Sequence, residues 1–106
     1  MKKGSVILIP FPFTDLKRSK VRPAIVLCKN EFDVTICFVT SGLKWKTNYD
    51  IFISPSENNG LKAPSLIRIG KVATIDSNLV LGELGELSDT EIMKLNKSLK
   101  EMLQLH

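Results

Sequence analysis

Four cations fall within six residues at Lys17-Arg18-Ser19-Lys20-Val21-Arg22, and the chain then runs into the apolar stretch Pro23-Ala24-Ile25-Val26-Leu27. β-branched Ile25 and Val26 suit a buried strand, so Arg22 stands at the mouth of a rigid element. Pro23 fixes its own φ and keeps Arg22 out of the helical region, which holds Arg22 extended where loop meets strand. A guanidinium held in this way suits recognition of a polyanion or stabilisation of charge that builds up in a transition state. The same cations would also keep a hairpin in water, the ordinary use of a charge run. A second group with usable chemistry is Thr40-Ser41-Gly42. Its two hydroxyls can donate to a phosphate, although this triplet is equally at home in a plain turn.

Aromatic side chains lie beside both groups. Phe11 and Phe13 precede the cations, and Trp45 stands between Lys44 and Lys46. Aromatic faces stack on bases while cations follow phosphates, the combination found on single-strand binding surfaces. The alternatives are that Phe11 and Phe13 close one end of the core and that Trp45 is a hydrophobic plug. Arg68, flanked by Ile67 and Ile69, is one further cation within a strand-like run.

Several chemistries are excluded by what is missing. His106, the only histidine, is the last residue of the sequence, where ends fray, so a Ser-His or Cys-His hydrolase does not fit. Cys28 and Cys37 have no histidine near them for a zinc site, and no acidic cluster suggests a two-metal nuclease. No phosphate-binding loop is present, and Gly82-Glu83-Leu84-Gly85 is too short and acidic for a dinucleotide. The site left is expected to use no metal and no cofactor. RNA is the natural substrate for Arg, Lys, Thr and Ser alone, because its 2′-hydroxyl can attack the adjacent phosphate. The protein then needs only to orient that attack, stabilise the extra charge and move protons.

The elements that must position these residues follow from pattern. Ser5 to Ile9 predicts a strand, with Pro10 to Val21 as a loop because two prolines lack the N–H a ladder needs. Ala24–Cys28 and Val34–Val39 predict two more strands joined by a turn at Lys29–Asp33, with Leu43–Tyr49 as a polar loop. Asp50–Ser54 reads as a strand stopped by Pro55, and Ser56–Gly60 as a turn. Ser65–Ile69, Lys71–Asp76 and Leu79–Leu84 read as short strands, the first two separated by Gly70. Ser88-Asp89-Thr90-Glu91 is a capping box, with Leu87 and Ile92 as a hydrophobic staple. Beyond it Ile92, Leu95, Leu99 and Met102 or Leu103 recur at three- and four-residue steps, predicting one amphipathic helix. The expected fold is mainly β with a C-terminal α-helix, a small SH3-like barrel of six or seven short strands in one domain spanning 1–106.

Composition agrees with a folded domain. The 106 residues are 43% hydrophobic and 25% charged. A formal charge of +4 favours an acidic partner such as nucleic acid or an acidic peptide. Both cysteines are expected as reduced core residues. Met1-Lys2-Lys3 resembles the start of a signal peptide, but Pro10 and Pro12 cut the apolar segment after it. No stretch reaches the roughly 20 apolar residues of a spanning helix, so the cytoplasm is the expected location.

Taken in order, Gly4-x-Val6-x-Leu8-x-Pro10-Phe11-Pro12-Phe13-Thr14-Asp15, Lys20-Val21-Arg22-Pro23-Ala24, Val39-Thr40-Ser41, Gly60-Leu61-Lys62-x-Pro64-Ser65 and Thr74-Ile75-Asp76 resemble the MazF/PemK family, the toxin halves of bacterial toxin–antitoxin pairs. The resemblance covers nearly the whole chain. It implies an SH3-like barrel, a homodimer and a metal-independent endoribonuclease cutting single-stranded RNA. It also implies a cognate antitoxin whose acidic tail occupies the basic groove. The family's catalytic arginine falls on Arg22 and its catalytic threonine on Thr40, with Ser41 beside it. The RNA-binding surface is then expected to comprise Phe11, Phe13, Lys17, Arg18, Lys20, Lys44, Trp45, Lys46 and Arg68. The chain departs from family patterns at Leu16, where some members carry histidine, and at Gly70, where they carry aspartate. Ala73 and Ser5 also replace, respectively, a basic and an acidic residue. The general base is left unassigned, with Asp15 and Glu31 as candidates. A non-catalytic SH3-like module, holding RNA or an acidic peptide through the basic loop 17–22, is the alternative reading.

Overall fold

The computed structural model describes residues 1–11 and 20–105, and of Trp45 only the backbone. The elements in order are β1 (Ser5–Phe11), β2 (Lys20–Lys29), β3 (Asp33–Thr40), a 3-10 turn (Leu43–Trp45), β4 (Ile51–Ile53), β5 (Ser65–Asp76), a second 3-10 turn (Ser77–Leu79), β6 (Gly82–Glu86) and α1 (Asp89–Leu103). The six strands form one antiparallel sheet in the order β4-β5-β3-β2-β1-β6. The sheet curls into a half-barrel with the single C-terminal helix packed on it, as the pattern predicts.

Alternation along the central strands sends side chains to two apolar layers, one on each face. Val6, Ile25, Cys37, Val39, Ile67 and Ile69 belong to the layer that the helix covers with Leu95. Ile7, Ile9, Ala24, Val26, Ile36 and Ile75 belong to the other. Burial on both faces explains why β1 to β3 read as continuous apolar runs rather than as half-polar strands.

The helix begins as its sequence dictates. Ser88 Oγ accepts from the Glu91 N–H at 3.1 Å, and Glu91 Oε1 accepts from the Ser88 N–H at 2.8 Å. Leu87 is buried and Ile92 packs against the same cluster, completing the staple. In the β2–β3 turn, Asn30 Oδ1 accepts from the N–H groups of Phe32 and Asp33, 2.9 and 2.8 Å away. Gly60 has φ of +69° and Gly85 passes against the Asn58 carbonyl, so neither position has room for a Cβ.

Several strand boundaries differ from expectation. β1 continues through Pro10 to Phe11 and β2 starts at Lys20, with Pro10 opposite Val21 and Arg22 opposite Ile9. Pro10 is tolerated because the β6 ladder already ends at Leu8, and Pro23 because the β3 ladder ends at Ala24. Each proline therefore needs pairing on one side only. Gly70 does not divide two strands; it lies within the 12-residue β5. The last strand is Gly82–Glu86, because Ser77–Leu79 forms a 3-10 turn whose entry Asp76 Oδ1 caps by accepting from the Asn78 N–H at 2.8 Å. Both cysteines are free thiols, but only Cys37 is buried; Cys28 is exposed where the β2–β3 register slips between Val26 and Cys28.

Candidate active site

The strand ends that carry the two chemical groups of the sequence come together. The β2–β3 ladder ends at Ala24 opposite Phe38, and Arg22 and Thr40 each lie two residues beyond that last pair, one on each strand. Arg22 and Thr40 both line one open cleft of about 370 Å³. Phe11, Phe38, Arg68 and Lys71 are also in its wall. Phe11 and Phe38 meet edge-to-face with ring centroids 5.4 Å apart, and Phe11 remains 41% exposed. That leaves an aromatic surface open beside the cations.

Thr40 Oγ1 accepts from the Gly42 N–H at 3.1 Å. The turn thus occupies an acceptor site on this oxygen and leaves its proton available to donate into the cleft. Ser41 is exposed, and with Arg22 it borders a second hollow of about 280 Å³ whose wall also includes Lys62 and Ser65. Arg22 is therefore shared by two adjoining hollows.

Arg68 is held from behind. Its Nε lies 3.0 Å from Oδ2 of Asp50, whose side chain is 1% exposed, while the Arg68 side chain is 20% exposed. The same Oδ2 accepts from the Thr47 N–H at 2.9 Å, and Thr47 in turn accepts from the Asp50 N–H at 3.1 Å. Asp50 ties the loop before β4 to the guanidinium. Sequence reasoning placed Asp50 only at a strand start. A buried carboxylate is legible only once β4 is known to lie beside β5.

Lys71 was also missed, for a geometric reason. It lies three positions after Arg68, so in a regular strand the two side chains would point to opposite faces. Cys37 pairs with Val72 and the next residue, Phe38, with Arg68, so Ile69–Lys71 bulge out of the ladder. Ile67 and Ile69 face the helix-side layer before the bulge, whereas Ala73 and Ile75 face the opposite layer after it. The alternation has reversed, and Lys71 joins Arg68 in the cleft wall. Glycine inside a strand pattern is the sequence signal for such a bulge.

Other expected residues lie elsewhere. Lys20 is exposed on β2 opposite Phe11. Lys44 and Lys46 are exposed around the first 3-10 turn and are not among the described residues of the cleft wall. Phe13, Asp15, Lys17 and Arg18 lie outside the described residues, as does the side chain of Trp45. Glu31 is exposed at the β2–β3 turn, at the far end of β2 from Arg22. At about 3.3 Å per residue, that puts it on the order of 20 Å from the cleft, too far to take a proton there. Among the described residues, no group of three or more His, Cys, Asp or Glu side chains could hold a metal ion. No described helix is long and apolar enough to cross a membrane.

Several solved structures share this fold. An endoribonuclease in complex with its cognate antitoxin from a mycobacterial species superposes with a TM-score of 0.78 at 18% identity, covering 100% of this chain and 97% of that one. The Mycobacterium tuberculosis toxin MazF-mt6 gives 0.76 at 18% identity, with coverage of 96% and 98%. MazF from Deinococcus radiodurans gives 0.73 at 16% identity, with coverage of 99% and 97%. Comparison with curated proteins gave no significant sequence match. The family model for the PemK-like, MazF-like toxins of type II toxin–antitoxin systems matches residues 2–103. The chain therefore belongs to the PemK-like, MazF-like toxin family of type II toxin–antitoxin systems.

Proposed function

We propose that this toxin is a metal-independent endoribonuclease that cleaves single-stranded RNA by attack of the 2′-hydroxyl on the adjacent phosphate, leaving a 2′,3′-cyclic phosphate and a 5′-hydroxyl. The observation that carries the proposal is the meeting of Arg22 and Thr40, from different strands, in one cleft. Arg22 donates to the pentacoordinate phosphate, because a guanidinium with a pKa above about 12 is a poor base but a strong, permanently charged donor. Thr40 and Ser41 orient the scissile group. Phe11 offers a stacking face to a base, and Arg68 adds positive potential. Lys20, Lys44 and Lys46 extend the RNA path outside the described cleft wall, and Phe13, Lys17, Arg18 and Trp45 are proposed to bind RNA as well.

The partners proposed are a second copy of the chain and a cognate antitoxin whose acidic tail competes for the same cations. An endoribonuclease in complex with its cognate antitoxin is among the structures that share this fold, which supports the second. An RNA substrate places the activity in the cytoplasm.

The test is incubation of the purified protein with a long RNA in EDTA, followed by mapping of product ends. Cyclic-phosphate and 5′-hydroxyl ends are expected from the native protein, and Arg22→Ala should lower the cleavage rate by ~10²- to 10³-fold. RNA binding with a steep salt dependence but no cleavage would instead identify a non-catalytic module.

A further inference from the structure

We propose that Lys71 is the general acid of the cleft, donating the proton that the 5′-oxygen needs as it leaves phosphorus. The proposal rests on the nuclease reading above and goes beyond it by assigning a step that Arg22, Thr40 and Ser41 do not perform. The reaction requires four changes. The O2′–P bond forms, the P–O5′ bond breaks, its electron pair departs on O5′, and O5′ gains a proton. The proton of the 2′-hydroxyl passes to water, and the lysine amine recovers its own from solvent.

A proton inventory of the described cleft wall leaves one donor suited to that step. Arg22 and Arg68 carry guanidinium groups, which donate hydrogen bonds but are very weak acids. Thr40 brings a hydroxyl, no stronger an acid than the leaving alcohol, and its neighbours Phe11, Phe38 and Val39 have nothing to give. An ammonium group is a much stronger acid than an alcohol, so transfer from Lys71 to a developing alkoxide runs downhill. No carboxylate or imidazole stands among the described wall residues to do this instead.

Geometry points the same way. The bulge at Ile69–Lys71 breaks an otherwise regular β3–β5 ladder, and what it achieves is to turn Lys71 onto the face of Arg68. Bulges beside active sites commonly re-aim a side chain in this way. Lys71 is exposed and makes no ion pair among the described residues, whereas Arg68 is tied to Asp50. One cation is thus fixed and the other left on a flexible four-carbon stem able to follow a moving oxygen.

The experiment compares native protein, Lys71→Ala and Arg22→Ala on two short RNAs spanning a mapped cleavage site. In the second RNA sulfur replaces the bridging 5′-oxygen at the scissile linkage. A thiolate leaves without protonation, because thiols ionise at pKa values near 8.5, far below those of alcohols. Lys71→Ala should lose ~10²- to 10⁴-fold on the oxygen substrate and fall within about threefold of native on the sulfur substrate. Arg22→Ala should lose on both. Activity on the sulfur substrate also shows that Lys71→Ala is folded. Equal losses by Lys71→Ala on the two RNAs would overturn the proposal in favour of charge stabilisation or binding, and no loss on either would remove Lys71 from the reaction. A native protein that cuts neither RNA would defeat the nuclease reading itself, and this proposal with it.

Discussion

Arg22 and Cys37 show how differently two single side chains can be committed. Arg22 is exposed and makes no ion pair among the described residues, so its removal should cost rate and not fold. Arg22→Ala is expected to unfold at the native denaturant midpoint while its RNA cleavage falls; a midpoint lowered as far as the rate would assign Arg22 a structural role instead. Cys37 is committed to the core, and burial pushes its thiol from an ordinary value near 9.0 up to about 12. Above pH 9 the unfolded chain releases this proton while the folded chain retains it. The unfolded state then binds fewer protons, so stability should fall as pH rises from about 9 towards 12. Cys37→Ala should flatten that slope in denaturant titrations. Maleimide should label exposed Cys28 in the native protein and reach Cys37 only after denaturation.

At the scale of elements, the cleft depends on how β4 and β5 are joined. Asp50 precedes β4, Arg68 lies on β5, and their buried contact locks the two at one edge of the sheet. Asp50→Ala would leave a largely buried guanidinium without its counter-charge. The expected loss is about 3 kcal/mol, at the lower end for broken buried pairs because part of Arg68 reaches water. Urea unfolding would measure it, and an unchanged midpoint would mean that solvent already satisfies Arg68. The bulge in β5 is the second device at this scale. It lets one strand send Ile67 and Ile69 to one apolar layer and Ala73 and Ile75 to the other. The capped helix seals the first of these layers.

The whole molecule carries a charge of +4 and gathers Arg22, Arg68 and Lys71 in one open cleft. Such a cleft attracts a polyanion before any specific contact forms. The helix meanwhile presents Met93 at 71% exposed and Leu103 at 56%, and edge strand β4 presents Phe52 at 51%. These apolar surfaces support the proposed homodimer. Light scattering of the purified protein should give twice the chain mass of 11.9 kDa. A species of 11.9 kDa throughout the micromolar range would reject the homodimer.

What the sequence determined by itself was mostly local. The helix start at Ser88, the turn at Asn30 and the extended backbone at Arg22 follow from side chains bonding to nearby backbone or from a proline ring, and these forces act within a few residues. The order of motifs along nearly the whole chain also identified the family, and with it singled out Arg22 and Thr40, which both line the cleft. Pairing decided the rest. Pro10 could join a strand because the ladder beyond it had ended, Cys28 was left outside the core by a slip in register, and Asp50 found Arg68 through the neighbouring strand. Lys71 entered the cleft only because β5 bulges against β3. Each of these outcomes depends on which residues of a distant strand lie opposite, a relation set by burial of both sheet faces and invisible in any short window of the chain.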